Sequence, residues 1–304
     1  MNYILKVENL EKIYHNHKVL SNLNMKIEEG AIYGLVGRNG AGKTTLIRII
    51  TGLQAPTKGN YELFDINYKN SKIKKHLRTI GAIIEKPALI ENMTARENII
   101  EQSKIVGTIQ TIEIDALLKL VGLNDTDNKK VRNFSLGMRQ RLGIAITLCS
   151  NPKFIILDEP INGLDPEGII AIRKLVLKLN KEQNITFLIS SHYLDELSKI
   201  ATNYGFIKNG KIIKEISSKE FNEKKQIKTE LIVDDPKTAI KYFKLKNLQY
   251  KIIDNNTFEL TNITNISNLI LELSNLNCSV KNIKETEETL ENYYLDLIGG
   301  KEND

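Results

Sequence analysis

The sequence predicts an α/β fold in which helices flank a mostly parallel sheet, with a small antiparallel β layer before it and a small α+β domain after it. Apolar runs typical of buried strands alternate with helical patterns from Ala31 to about Ile200, and this alternation favours parallel strands. Shorter runs that alternate apolar and polar residues precede them. After about Ser217 glycines become few, whereas Asn, Lys and Glu become frequent. We therefore expect two domains, 1–217 and 218–304, in the 304-residue chain.

The strands of the first domain follow from these patterns. Four apolar runs are expected to form the buried parallel strands, at 31–36, 80–84, 154–157 and 185–189. Residues 3–7 and 24–27 alternate as strands with one wet face do, which predicts the antiparallel layer. A hairpin is expected at 204–216, because Asn209-Gly210 is a dipeptide that a two-residue type I′ turn favours.

A helical lobe is predicted between the strands at 80–84 and 154–157, over about 86–150. Thr94 and Glu97 have the spacing of a capping box, which opens a first helix. A second amphipathic helix is expected at 111–121, ended by Gly122, and a third after Ser135.

The second domain is expected to have the β-α-β-β-α-β order of a ferredoxin-like arrangement. Its elements are predicted, in that order, at 228–233, 236–244, 249–253, 257–260, 266–276 and 279–283. A last helix is expected at 287–298. No motif that carries chemistry falls in this domain.

Composition excludes several classes of protein. The net charge is +6, but the lysines are scattered along the chain, so a solvated surface is favoured over a nucleic-acid site, with an anionic membrane surface as a lesser alternative. The two cysteines, Cys149 and Cys278, lie far apart and indicate neither a disulfide framework nor a metal site, which fits a reducing compartment. No apolar run approaches the roughly 20 residues that span a bilayer, and the first residues do not have the pattern of a signal peptide.

A glycine-rich segment follows the first buried strand and precedes an apolar helical pattern. It has the spacing of a P-loop, in the strand-to-helix setting that this motif requires. Its expected nucleotide contacts come from Gly37, Asn39, Gly40, Gly42, Lys43, Thr44 and Thr45. In this interpretation the backbone N–H groups cradle phosphates, Lys43 reaches the β and γ oxygens, and the Thr44 hydroxyl faces Mg²⁺. The alternative is a glycine turn with a surface lysine.

Two acids end the buried strand at 154–157. Neighbouring residues of a strand point to opposite sides, so Asp158 and Glu159 are expected to have different roles. Asp158 suits the Mg²⁺ shell, and Glu159 suits a base that orients or deprotonates the attacking water. A solvated strand end is the plainer alternative.

Two further positions are candidates for the same site. His192 follows the strand at 185–189 and is expected to contact the γ-phosphate, whereas a single histidine elsewhere is more often packing or surface. Ser135 opens a helix whose free N–H groups form an anion site. An ordinary helix cap is the alternative for Ser135. Because the P-loop already cradles its own phosphates, this second anion site indicates service to another subunit's nucleotide.

Together these motifs resemble the ATP-binding subunit of ABC transporters, and the resemblance covers 1–217. It implies a P-loop NTPase of the ABC ATPase type that binds ATP and Mg²⁺ and closes as a head-to-tail homodimer or heterodimer. In its terms 135–140 is a variant signature motif, with Ser135 and Gly137 acting across the dimer, 161–165 is the D-loop, and His192 is the switch histidine. Tyr14 matches the aromatic that stacks on adenine, with a packing tyrosine as the alternative.

One departure narrows the resemblance. Glu85 stands where most members have a glutamine that touches Mg²⁺ or water; its carboxylate can still offer oxygen to the metal. Glu85, the sequence SLGMRQ at 135–140 and the C-terminal extension are similar to the branch for bacitracin resistance and lantibiotic self-immunity. That branch implies a cytoplasmic subunit, peripheral on the inner face of the membrane, that is docked on separately encoded permease subunits and exports antimicrobial peptides or drugs.

Three alternatives stay open at this stage. The cargo could be an ion, a metal or a lipid, since the motor does not touch it. A non-transport ATPase of DNA repair or translation is less favoured, because the chain has no long coiled-coil insertion and one cassette instead of two. A partner that binds ATP without hydrolysing it is disfavoured by the intact pair Asp158 and Glu159.

Overall fold

The computed structural model describes residues 2–108, 113–225, 227–261, 263 and 265–299. The chain forms two compact units, Met1–Ser218 and Lys219–Asp304. Each is considered by itself below.

The described part of the first unit contains ten strands. In chain order they are β1 (Tyr3–Tyr14), β2 (His17–Glu28), β3 (Ile32–Val36), β4 (Lys58–Leu63), β5 (Ile66–Asn67), β6 (Ile80–Ile83), β7 (Phe154–Asp158), β8 (Thr186–Ser191), β9 (Asn203–Lys208) and β10 (Lys211–Ser217). They form an antiparallel sheet of order β2-β1-β4-β5 and a six-stranded sheet of order β10-β9-β3-β8-β7-β6. The five strands from β9 to β6 in that order are parallel, and β10 is antiparallel to β9.

Seven helices accompany these strands in the described residues of the first unit. They are α1 (Lys43–Ile50), α2 (Ile73–Leu77), α3 (Ala95–Val106), α4 (Ile114–Leu120), α5 (Leu136–Leu148), α6 (Pro166–Gln183) and α7 (Leu194–Ser198). Short 3₁₀ turns lie at Asn124–Thr126 and Val131–Asn133.

Helix α1 lies in the main core of the first unit. Its four apolar residues after Thr45 are all buried, in one cluster with side chains of both sheets, such as Leu23 and Leu35. A helix this apolar has to be covered on more than one side. Burial from both sheets fixes α1, and therefore the loop that precedes it.

The predicted lobe is helical as expected. Thr94 caps α3 with a capping box, in which Glu97 and Thr94 exchange hydrogen bonds. The Thr94 N–H and the Lys130 ammonium hold the pKa of Glu97 below its ordinary value. Of the predicted second helix at 111–121, residues 111 and 112 lie outside the described residues, and the remainder is α4. Ser135 caps α5 as predicted.

The second unit has the predicted β-α-β-β-α-β order. After α8 (Ser218–Lys224) come β11 (Ile227–Val233), α9 (Pro236–Leu245), β12 (Tyr250–Ile252), β13 (Thr257–Thr261), α10 (Ile266–Asn275), β14 (Val280–Glu287) and α11 (Leu290–Gly299). The sheet has the order β12-β13-β11-β14, with all its pairs antiparallel. Its core contains Phe243, Phe258 and Leu231, which are fully buried.

Several predicted boundaries were wrong. Strands β1 and β2 run on to a hairpin end where Tyr14 pairs with His17, so both are much longer than 3–7 and 24–27. Register shifts along the pair break the alternation on which the prediction relied. Glu287 was placed in the last helix, but it pairs with Ile227 at the end of β14.

Candidate functional site

The order of the six-stranded sheet brings the candidate residues to one edge. Strands β3, β8, β7 and β6 are consecutive neighbours and parallel, so their carboxyl ends lie side by side. The glycine-rich loop follows β3, His192 follows β8, Glu159 follows β7, and Glu85 lies two residues beyond β6. Ligands of open α/β sheets bind at this end of the strands.

The loop after β3 has the backbone of a phosphate cradle. Gly40 and Gly42 have φ values of 80° and 109°, in the region that favours glycine. A Cβ on Gly42 would also lie 2.7 Å from Cδ2 of Leu20, so space and conformation both require glycine there. Helix α1 begins at Lys43 with its first N–H groups facing the loop. An open cleft here is lined by Val19, Arg38, Asn39, Gly40, Gly42, Lys43, Thr44, Thr45 and Glu159.

Lys43 is folded back into this loop. Its Nζ donates to the carbonyl of Gly37 at 2.7 Å and lies 3.1 Å from Oε1 of Glu159. The side chain is 6% exposed. A buried ammonium needs such partners, because an unpaired one would be strongly disfavoured.

Asp158 is buried and holds two hydroxyl groups. Thr44 Oγ1 donates to Oδ2 of Asp158 at 2.7 Å, and Ser190 Oγ donates to Oδ1. A hydroxyl and a carboxylate in direct contact are the hard oxygen ligands that Mg²⁺ prefers. These two residues fit the ion that the P-loop sequence implies.

Ser190 was missed by the sequence analysis. Its hydroxyl donates to Asp158 and accepts the Glu159 N–H at 2.9 Å, so one side chain orients both acids. The signal was present in the pairing of neighbouring strands, because Asp158 lies beside Ser190 in the register of β7 and β8.

Glu159 lies between a cation and an imidazole. Oε2 is 2.7 Å from Nδ1 of His192, while Oε1 faces the Lys43 ammonium. Its φ of 51° is uncommon for a residue other than glycine, and such backbone conformations cluster at functional sites. The predicted base Glu159 therefore contacts both the predicted histidine His192 and the loop lysine Lys43.

Two predicted residues make contacts elsewhere. The Tyr14 hydroxyl donates to Oε1 of Gln54, and the Lys12 ammonium lies 5.0 Å from the centre of the Tyr14 ring. Glu85 is exposed and pairs with Arg48 of α1. Tyr14 thus contacts Gln54 and Lys12, and Glu85 contacts Arg48.

Ser135 and Gly137 lie at the start of α5, away from the loop in sequence but beside the D-loop. The Ser135 hydroxyl accepts the Met138 N–H at 3.2 Å and is exposed. A Cβ on Gly137 would lie 3.9 Å from Leu164 and 3.6 Å from Gly168, at the first turn of α6. At this helix start Ser135 is exposed, whereas Gly137 is buried.

The loop after β3, the buried lysine and the two acids at the end of β7 define a P-loop nucleoside triphosphatase. A family model described as ABC transporter matches residues 20–162. The bacitracin transport ATP-binding protein BcrA of Bacillus licheniformis is 40% identical over 307 residues, covering 99% of both chains. The lantibiotic transport ATP-binding protein SrtF of Streptococcus pyogenes is 44% identical over 212 residues, covering 70% of this chain and 90% of that protein. The chain belongs to the ATP-binding subunits of ABC transporters, which are ATPases.

Two solved structures support this family assignment. The dimeric post-hydrolysis structure of the ATP-binding cassette MJ0796 with ADP and Pi has a TM-score of 0.63 at 27% identity, covering 70% of this chain and 98% of that one. The cbiO1 protein of Clostridium perfringens, part of the ABC transporter complex cbiONQ, has a TM-score of 0.65 at 29% identity, covering 81% and 96%. Across the described ranges, no helix combines the length and the apolar character needed to cross a membrane.

Proposed function

We propose that this subunit hydrolyses ATP to power the export of an antimicrobial peptide of the bacitracin or lantibiotic type. The observation that carries the proposal is the match to the bacitracin transport protein over 99% of both chains, which includes the second unit. The match to a lantibiotic transport protein supports the same class of cargo.

The binding step follows from the contacts of Lys43. Its ammonium is held by a loop carbonyl and by Glu159, and an incoming triphosphate offers several anionic oxygens in their place. Backbone N–H groups of 37–42 and the start of α1 add donors for the β-phosphate. Thr44 and Asp158 would hold Mg²⁺, which when bound supplies positive charge to the phosphates.

The hydrolytic step uses the Glu159 carboxylate. When phosphate draws Lys43 away, Oε1 of Glu159 loses its cation and becomes free to accept a proton from water. His192 keeps Oε2 in place through Nδ1, and Ser190 fixes the backbone N–H of Glu159. The water oxygen attacks the γ-phosphorus, the bond to the β-γ bridging oxygen breaks, and ADP and phosphate leave.

The start of α5 is the part of this subunit that would serve the nucleotide of a second subunit. Ser135 and Gly137 would contact the γ-phosphate that is bound on the partner's loop. Mixing two inactive variants tests this assignment. Lys43→Ala lacks the loop cation and Ser135→Arg blocks the α5 face, so a mixture should regain phosphate release in dimers that contain one intact composite site. A mixture as inactive as its components would contradict it.

The partners are separately encoded permease subunits, and the place of action is the inner face of the cell membrane. A susceptibility assay tests the cargo. Cells that express the chain with the neighbouring permease genes should tolerate more bacitracin or lantibiotic than cells with the Glu159→Gln variant. Equal susceptibility to both peptides, with intact ATPase activity, would contradict the cargo and favour an ion, metal or lipid.

A further inference from the structure

Arg48 and Glu85 form an ion pair one helical turn from Thr44, the threonine that we propose as a ligand of Mg²⁺. Nη2 of Arg48 lies 2.6 Å from Oε1 of Glu85. Arg48 follows Thr44 by four residues on α1, so both side chains leave the same face of the helix. Thr44 contacts the end of β7 through Asp158, and Arg48 contacts the segment after β6. Helix α1 therefore makes side-chain contacts with the end of β7 and with the segment after β6, its neighbour in the sheet.

Glu85 sits in a strained turn. Its φ is 62°, and the N–H of Lys86 donates to the carbonyl of Ile84 at 2.7 Å. A hydrogen bond across one residue of positive φ is a rare and strained form of the γ-turn. Strained backbone persists where the surroundings hold it, and it concentrates at functional sites. The turn fixes the backbone of Glu85, and the ion pair with Arg48 fixes the position of its carboxylate.

Glu85 lies past the carboxyl end of the parallel sheet, two residues beyond β6. Ile83 pairs with Leu157, so Glu85 and Glu159 each lie two residues beyond this paired position. A carboxylate there has the same sign of charge as the acids of β7 and the phosphates, which a glutamine would not have. The Arg48 guanidinium supplies the opposite charge in a charge-assisted hydrogen bond.

We propose that Arg48 is a positioning residue for ATP hydrolysis: it holds Glu85 against α1 and offsets the charge that distinguishes Glu85 from glutamine. The inference rests on the proposed ATPase function and deepens it. An amide at position 85 needs no cation. Arg48 should therefore matter for turnover while residue 85 is an acid and become dispensable in Glu85→Gln.

A double-mutant cycle on the full-length protein tests this dependence. Arg48→Ala, Glu85→Gln and the double variant are compared by kcat and KM for ATP at low and at high salt. The expected loss of kcat/KM from Arg48→Ala is about three- to tenfold beside Glu85 and less than about twofold in the Glu85→Gln background. High salt should shrink the first loss, because the pair is partly exposed.

Three further variants separate positioning from folding. Arg48→Lys keeps the charge and should retain most of the activity. The exchange Arg48→Glu with Glu85→Arg restores a pair and should recover part of what either single change loses. Arg96→Ala is the matched control, because Arg96 pairs with an exposed acid, Asp115, in the lobe. It should leave kcat/KM within about twofold of wild type.

Equal losses in both backgrounds, or no loss beside Glu85, would overturn the role of Arg48. If Arg48→Ala does not fold, Arg48→Lys and the exchanged pair decide the question. A wild-type protein that releases no phosphate would overturn the proposed function itself. An active wild type with additive losses would overturn the role of Arg48 alone.

Discussion

The two units of the chain differ in where they keep their polar groups. In the part of the chain that the structure describes, the buried charged residues are Lys43 and Asp158, and both lie at one edge of the first unit's sheet. The core of the second unit is apolar, and the buried polar side chains among its described residues are Thr229 and Thr257. Burying a charge is costly without a partner. The first unit accepts that cost at the place where we propose that the triphosphate is held.

In the second unit, Asp235 lies at a helix start and Asp254 at a turn. Asp235 caps α9 through the Lys237 and Thr238 N–H groups, and Asp254 accepts two N–H groups of the β12–β13 turn. These carboxylates stabilise local structure and remain in contact with water. Among the described residues, the buried charges of the first unit thus lie at one edge of its sheet, whereas Asp235 and Asp254 of the second unit stabilise a helix start and a turn.

Removal of Lys43 is the change expected to have the largest effect. Lys43→Met keeps much of the side-chain volume but leaves Glu159 facing the phosphates without a cation. We expect hydrolysis to fall by about 10²-fold or more. A phosphate-release assay measures the loss of hydrolysis. Nucleotide binding should weaken as well, and titration with a fluorescent nucleotide measures it.

Lys6→Met is the matched control for Lys43→Met. Lys6 is a partly exposed lysine of the same unit that pairs with the exposed Asp65. Activity should stay near wild type, because an exposed pair contributes little. Comparable losses in both variants would break the distinction between the site and the remainder of the first unit.

Ser190→Ala is expected to have the next largest effect. The variant removes the hydroxyl that orients both acids, so hydrolysis should fall about tenfold, as for other residues that position metal ligands. The free energy of unfolding should drop by about 1–3 kcal/mol, because a buried N–H and a carboxylate oxygen lose a partner. Denaturant unfolding and Mg²⁺ dependence of phosphate release measure the two effects.

Ser103→Ala provides the comparison for Ser190→Ala. Ser103 is a fully buried serine of the lobe whose hydroxyl donates to the Ile99 carbonyl within α3. Its loss should leave kcat unchanged. If Ser103→Ala lowers kcat as much as Ser190→Ala does, the special role of Ser190 is wrong.

Thr229→Val, in the second unit, is expected to have a small effect on stability. Thr229 is fully buried in the second unit, and within the described ranges its hydroxyl has no hydrogen-bond partner. Replacing an unpaired buried hydroxyl with a methyl group should leave stability unchanged or raise it by up to about 1 kcal/mol. Thermal or denaturant unfolding checks this. A clear loss of stability would indicate a partner that the present contacts do not include.

The smallest expected effect is the pH dependence of the second unit. The Thr238 hydroxyl and N–H lower the pKa of Asp235, the Asn256 N–H lowers that of Asp254, and hydrogen bonds from Lys246 and Tyr242 lower that of Glu272. A lowered folded-state pKa contributes stability that is fully present above the unfolded values of 3.8 and 4.5. That stability is lost as the pH falls through the folded-state values.

Hydrogen exchange of 227–261 in the full chain measures this dependence. Protection should be constant from neutral pH to about 5 and decrease below it, after correction for the intrinsic exchange rate. Asp235→Asn keeps a good N-cap but no longer titrates, so its acid-induced decrease should be smaller. An identical decrease in both proteins would contradict the contribution of Asp235.

Much of the site could be predicted because its signals are local. The glycine loop and Glu159 directly follow buried strands and Asp158 ends one, and parallel strands bring such positions to one edge. Ser190 and Arg48 could not be predicted in the same way. Ser190 acts through the register of β7 and β8, and Arg48 through a contact with Glu85 across 37 residues.

The fold shows the same division. The ends of the strands of the parallel sheet were predicted to within two residues, because continuous apolar runs indicate buried strands. The long hairpin of β1 and β2 was underestimated, since its register shifts place Asn9 and Asn22 at positive φ and interrupt the alternation. Pairing with β11 carries β14 through 284–287, beyond its apolar pattern.

The role of Glu159 as the base for ATP hydrolysis is tested most directly by single-turnover phosphate release. The wild type and Glu159→Gln are compared, with bound nucleotide measured in parallel. The wild type should bind Mg·ATP and release phosphate, and Glu159→Gln should bind ATP equally well while releasing phosphate at least about 10²-fold more slowly. Phosphate release by Glu159→Gln at the wild-type rate, or a wild type that binds no Mg·ATP, would contradict the account.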